Sequence, residues 1–197
     1  MIILPTWPGA TKAVPSVLDF GGILQPTSGA ATQRFNRLGN RYGVAFEMPR
    51  LENADEGRIW VNRLVRGLSA GARMEYPLLD FDPGTPGAFV VNGAGQAGTM
   101  LNVRGGAPFY QFKEGQPFNI LIDGTYFLDF IAADTNANGS GAATITLSQM
   151  LREQPADGDP LLITQPVVEG WVVGDRLSWE LALNRSVGLA FEIHEAR

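Results

Sequence analysis

Four short stretches of this chain carry residue types that could do chemistry. Asp157 and Asp159 stand close enough in sequence to be a carboxylate pair of the kind that cleaves glycosidic bonds. Pro155, Gly158 and Pro160 surround them, however, and mark a turn rich in solvated acids. His194 is the single histidine, so a Ser-His-Asp triad would have to use it, and it lies in the run-out of an apolar strand. Gly93-Ala94-Gly95-Gln96-Ala97-Gly98 matches the dinucleotide pattern G-x-G-x-x-G letter for letter. That pattern works only where a helix follows and turns its N-terminus to the pyrophosphate. Residues 99–106 are β-like and end in glycines, so the expectation is a loop between strands. Asp134-Thr135-Asn136-Ala137-Asn138-Gly139 opens like a calcium loop, but the twelfth position, which should supply a bidentate Glu, is Ile145. A hairpin loop is expected there. The chain has no cysteine, which removes thiol nucleophiles, disulfides, thiolate metal sites and iron–sulfur clusters together. A zinc site would need several carboxylates instead. The expectation is a protein with no catalytic residue, no bound metal and no cofactor.

The elements that would have to position any site are strands. The 197 residues include 24 Gly and 13 Pro without a period, so the chain turns often and its strands are short. With 45% apolar and 18% charged residues it has enough apolar side chain to fold. Net charge is −5, and Lys12 and Lys113 are the only lysines among 15 bases. An acidic chain without a basic tract argues against specific nucleic-acid binding as the main task. Ile2-Ile3-Leu4-Pro5 is too short for a signal peptide, and no stretch has the length of a membrane helix. Synthesis in a reducing cytoplasm and no membrane insertion are expected.

Residues 17–20 read as a strand ending at Gly21-Gly22. Residues 32–38 and 41–48 read as two strands of one antiparallel hairpin, because Gly39-Asn40 is a turn signal and Tyr42, Val44, Phe46 and Met48 alternate with polar or small residues. One helix follows, with Asn53 as cap and Glu56 three positions on. Val61, Leu64, Val65 and Leu68 form its apolar stripe, Arg58, Asn62, Arg63 and Arg66 cover much of the rest, and Gly67 or Gly71 ends it. Such a helix should lie on a sheet. Residues 73–79 read as a strand.

Between Pro83 and Pro166 six short strands are expected at 89–91, 100–103, 118–122, 125–131, 142–147 and 161–164, with Asp123-Gly124 as a two-residue hairpin turn. That pattern suggests a small OB-like barrel or sandwich. Residues 167–173, 177–183 and 187–193 return to apolar alternation, with Asn184-Arg185-Ser186 as the turn between the last two. The last hairpin should pair with the first strands. The expected organisation is therefore a discontinuous domain, 1–86 plus 167–197, with 87–166 inserted. Trp60, Trp171 and Trp179 sit in core-like patterns, whereas Trp7 could meet a partner or pack under its own arm.

The order of these motifs resembles a known group. Arg41-Tyr42-Gly43-Val44, Met48-Pro49, the helix with Trp60, Val91-Asn92-Gly93-Ala94-Gly95-Gln96-Ala97-Gly98 and the turn at Asp123-Gly124 carry the likeness. So do Leu151-Arg152, Pro155-Ala156-Asp157-Gly158, Trp179, Gly188-Leu189-Ala190-Phe191 and Glu195-Ala196. Over nearly its whole length the chain resembles the distal tail proteins of long-tailed bacteriophages, the minor tail proteins of the baseplate hub ring. The resemblance implies a tail-tube-like β-sandwich or split barrel with one flanking helix, and a small added β-barrel. It also implies a virion structural protein that forms a ring, typically of six, between the tail tube protein and the tail-tip or hub proteins. It supplies no catalytic residues.

A ring needs a heterologous contact, one patch meeting a different patch on the neighbour. Trp7 and the helix arginines Arg58, Arg63 and Arg66 are the expected contributors, with the hairpin at 32–48 and the terminal strands offering sheet edges. The alternative is a carbohydrate- or receptor-binding accessory protein of the virion that uses residues 87–166. It would need Phe109, Tyr110, Phe112 and Tyr126 to face a ligand.

Overall fold

The computed structural model describes residues 1–183 and 185–196. The chain begins with β1 (Ile2–Ile3) and β2 (Lys12–Leu18), then β3 (Gly22–Leu24) and β4 (Gln33–Phe35), then β5 (Arg41–Glu47) and β6 (Leu51–Glu52). A π-helical turn at Asn53–Gly57 leads into α1 (Arg58–Ala70), and β7 (Ala72–Glu75) follows. The next stretch holds β8 (Gly87–Val91), β9 (Met100–Gly106), β10 (Gln111–Phe112), β11 (Pro117–Ile122), β12 (Thr125–Phe130), β13 (Thr135–Asn136), β14 (Ala143–Thr146) and β15 (Leu161–Leu162). Then come β16 (Val167–Val172), β17 (Trp179–Leu181) and β18 (Ser186–Glu195). Among the described residues the fold is mainly β with a single α-helix.

The first sheet runs β1-β7-β16-β18-β5-β2, with β17 and β6 pairing alongside β18. β18 is its centre. Val187, Leu189, Phe191, Ile193 and Glu195 alternate to one buried face, as the period-2 pattern requires. α1 lies against β1, β7 and β16 and buries Trp60, Leu64 and Gly67, with the Trp60 ring 6.1 Å from that of Phe191. Gly71, at φ 72°, ends the helix, whereas Gly67 lies inside it. A Cβ at Gly67 would come to 3.3 Å from that of Ala72, so its role is close approach.

Three local expectations are corrected. Residues 32–48 do not form one hairpin: β5 pairs with β2 through Lys12↔Glu47 to Leu18↔Arg41, and β4 pairs with β3 instead. The seven-pair register with β2 takes the place of the hairpin at the two-residue turn. Asn53 does not cap the helix, since a π-helical turn precedes α1 and no side chain caps either start. Val65 is exposed, because Trp60 rotates the buried stripe onto residues 60, 64 and 67. The last expected turn includes Asn184, outside the described residues. Arg185 beside it has φ 63°.

Residues 87–163 hold two three-stranded sheets, β14-β9-β8 and β12-β11-β15, with a small β10-β13 ladder. Asp123 and Gly124 both have positive φ, as a tight hairpin turn between β11 and β12 demands. Single bridges, Val90↔Pro160 and Ile131↔Leu147, stitch the sheets at their edges. The ladders do not close into the OB-like barrel expected here, because β15 has only two paired residues and β14 ends before it can pair β12 along its length. One apolar core, including Phe89, Phe112, Phe118 and Ile145, lies wholly within 89–163, and a second lies within 4–74 and 168–193.

Polar clasps join the two. The Asn119 side-chain amide donates to the Val167 carbonyl (2.8 Å), and its oxygen accepts from the Val167 N–H (2.6 Å). Arg73 pairs with buried Glu169 and stacks 4.2 Å over the Tyr126 ring. Arg152 forks onto Glu195 at 2.7 and 2.9 Å, while Glu195 also accepts from the N–H groups of Tyr42 and Leu128. Between these clasps, Gly170 stands opposite Ala72 on one side and Glu195 on the other. A Cβ there would collide with the His194 carbonyl. Gly170→Ala is expected to lower folding stability by about 1–3 kcal/mol. Chemical denaturation reads this, and an unchanged midpoint would mean β16 and β18 can part freely.

Candidate assembly surface

The stretches that looked chemical are engaged locally. Gln96 closes the 93–98 loop on itself: its amide N–H groups donate to the Asn92, Gly93 and Asn102 carbonyls, and its oxygen accepts from the Asn102 N–H. Strand β9 follows, not a helix. Asp157 accepts from Arg104 (2.6 Å) and from the Gly93 N–H (2.7 Å), and these bonds, Arg104 first, hold its carboxyl below the usual range. Asp159 accepts from the Ala156 N–H within the same turn. In the calcium-like loop, Asn138 accepts from Ser140 and Ala142, and Asp134 accepts from the Glu114 N–H. His194 Nε2 lies 2.6 Å from Glu192 Oε1. Among the described residues no cluster of three or more His, Cys, Asp or Glu forms a metal site.

The expected ligand-facing aromatics do not form a platform. Phe112 is buried in the core of 89–163, which corrects its placement toward a ligand. Tyr110 packs edge-on against it, donates its hydroxyl to the Pro83 carbonyl and accepts from Gln116. Tyr126 lies under Arg73. Phe109 alone is open, at 72% exposure and φ 58°.

Exposed apolar surface collects elsewhere, at two places beside the first sheet. The first is the β3–β4 hairpin, here the arm. Its strands pair only with each other, and it exposes Ile23, Leu24, Phe35 and Leu38. No charged residue occurs from 22 to 33. A Cβ built at Gly22 or Gly29 would meet nothing within 4 Å. At the base, Arg34 pairs with Asp19, and Asn40 donates to Gln149 (2.8 Å), so the root is anchored and the tip stands free. The second place is a groove of about 490 Å³ between α1 and β17, walled by Val61, Val65, Trp179, Leu181 and Val187 with Arg58 at its edge. The alternation at 177–183 suggests a core strand, but among the described residues β17 pairs only with the end of β18 and no layer covers it. Trp179 and Leu181 are therefore exposed, and Trp171 is too.

Trp7 is 77% exposed. Arg58 and Arg66 are exposed, and among the described residues neither they nor Arg63 form an ion pair. Arg63 instead donates to the Ile3 carbonyl (2.9 Å) and ties α1 to β1. Arg58 thus borders the groove, Arg63 is a tether, and Arg66 is a free cation on the helix. The expected sheet edge at 32–48 includes β4 of the arm, but the residue pattern did not single out β3 with Ile23 and Leu24. Its signal was present as a charge-free run between glycines with too few apolar residues to fill a core.

No protein-family model matches this chain, and no curated protein matches it.

Proposed function

We propose that this protein is a structural ring component of the distal tail of a long-tailed bacteriophage, made in the host cytoplasm and carried in the virion. It assembles with copies of itself, in a ring of about six by the sequence resemblance, between the tail tube protein and the tail-tip or hub proteins. One observation carries the reading. The β3–β4 arm is a hairpin without charge from 22 to 33, with exposed apolar side chains and, among the described residues, no third strand. Monomeric proteins blunt such edges with charge, proline twist or a covering element. Leaving one bare is consistent with a chain whose folded partner is another chain. The sequence resemblance and a mainly β fold with one helix on its sheet are in keeping with this role. The six acids of 87–166 other than buried Asp129 would keep that segment soluble on the outside of the ring.

Negative-stain images of the purified protein test the proposal. Closed rings with a central hole are expected. Fields of isolated single chains at every concentration tried would overturn it.

A further inference from the structure

We infer that the apolar groove between α1 and β17 receives the β3–β4 arm of a second copy of this chain. The inference rests on the assembly reading above and names the contact that makes the assembly.

The arm needs a neighbour for a physical reason. A two-stranded hairpin is marginal in water unless a third strand or a packed layer supports it. This one has neither, yet it carries Ile23 at 64% and Leu24 at 51% exposure. The groove offers both missing supports. β17 pairs with β18 along one edge only, so its other edge has backbone donors and acceptors free to add a strand. Beside that edge lie Val61, Val65 and Leu181, the last 66% exposed, ready to take alternate side chains of the added strand.

Charge fits as well. The arm has no charged residue from 22 to 33, so seating it desolvates no ion. Among the described residues Arg58 is the only charged group lining the groove.

Placement decides that the occupant is another copy. The arm leaves the sheet where β2 ends at Leu18 and β5 begins at Arg41. That end of β5 lies beside His194 of β18, through His194↔Gly43. The groove includes Val187, at the other end of β18, roughly 23 Å away by strand rise. Donor and acceptor thus sit at opposite ends of one sheet. The arm's base also faces Thr99 and Ser148 of the 87–163 segment. A donor at one end and an acceptor at the other make a head-to-tail contact, the kind that repeats into a ring when its rotation closes.

The test uses the chain's lack of cysteine. Protein carrying Leu24→Cys is mixed with protein carrying Val65→Cys, and in parallel with protein carrying Leu181→Cys, under mild oxidation. A covalent pair is expected from at least one mixture, at ten or more times the yield of either single variant alone. The double variant Leu24→Cys/Val65→Cys should give a ladder of linked chains. If light scattering finds oligomers but no pair cross-links, this contact is wrong and the assembly reading survives. Single chains throughout would overturn both. A disulfide formed only within one chain of the double variant would also overturn the contact, since the arm would then cover its own groove. As a second probe, Ile23→Asp with Leu24→Asp should raise the concentration for half-assembly about 100-fold while leaving the thermal midpoint of the fold unchanged. Unchanged assembly would remove the arm from the interface.

Discussion

Replacing Arg152 by methionine is expected to lower folding stability by about 3–5 kcal/mol, among the largest single-residue effects in the chain. Arg152 and Glu195 are both almost fully buried, with side-chain exposures of 7% and 2%. The guanidinium spans Glu195 with two bonds and donates to the Leu128 carbonyl. It thereby connects the last strand of the first sheet to β12 and to the 148–153 loop. Burying such a pair gives little net stability relative to an apolar pair, but removing one partner leaves a carboxylate uncompensated in the core. In a chain of this length the loss should appear as a fall of roughly 10 °C in the thermal midpoint. Arg152→Met with Glu195→Leu should recover much of it, because the orphaned charge is gone. A single variant that costs under about 1 kcal/mol would mean the clasp is solvated and does not join the two cores.

A pH dependence centred on Asp129 is the second large effect. Asp129 is buried, and Arg152 forks onto Glu195 while its charge also reaches Asp129. Burial pushes the Asp129 carboxyl up to about 7, against the pull of the Phe130 N–H, Arg152 and the Tyr42 hydroxyl. Burial raises Glu195 as well, and pushes the Tyr42 phenol far up, so Tyr42 is the donor to Asp129. The sign follows from linkage. The folded state holds a proton on Asp129 that the unfolded chain releases near pH 4, so its stabilising share is complete below that pH. It is lost as pH rises toward 7. The loss between pH 5 and pH 8 should be about 3 kcal/mol. Asp129→Asn mimics the protonated acid. All three bonds to Asp129, from Tyr42, Phe130 and Gln149, are accepted by Oδ1, a role an amide oxygen can fill. The variant should therefore be less sensitive to pH over this window. Urea titrations at pH 5, 6, 7 and 8 read the difference. Parallel curves for the two proteins would show that Asp129 is ionised in the fold throughout.

Much of the architecture was legible because the strands obey simple periods. Leu189, Phe191 and Ile193 on β18 alternate in sequence and in burial, and Tyr42, Val44 and Phe46 on β5 are buried as their spacing requires, with Gly43 buried between the first two. The Asp123-Gly124 turn carried its own backbone signature. Pairing partners were harder to read, since alternation says which face a residue takes and not which strand lies beside it. That is how the turn at Gly39-Asn40 suggested a hairpin that the longer β2–β5 register replaces. The same limit applies to Trp179 and Leu181. Their alternation matches a buried strand, yet the fold leaves no layer above β17, so a pattern that reads as core becomes surface. The Arg152–Glu195 clasp was beyond sequence reasoning altogether, because its partners are 43 residues apart and meet only once both cores exist.

The most direct test of the account is the mass of the protein in solution, measured by light scattering across a concentration series beside the Ile23→Asp, Leu24→Asp arm variant. The account predicts a species of roughly 130 kDa for the unaltered chain, about six copies of 21.3 kDa, that dissociates on dilution, and single chains for the arm variant over the same range. Single chains for both proteins up to the highest concentration would contradict it, and so would equal oligomers for both.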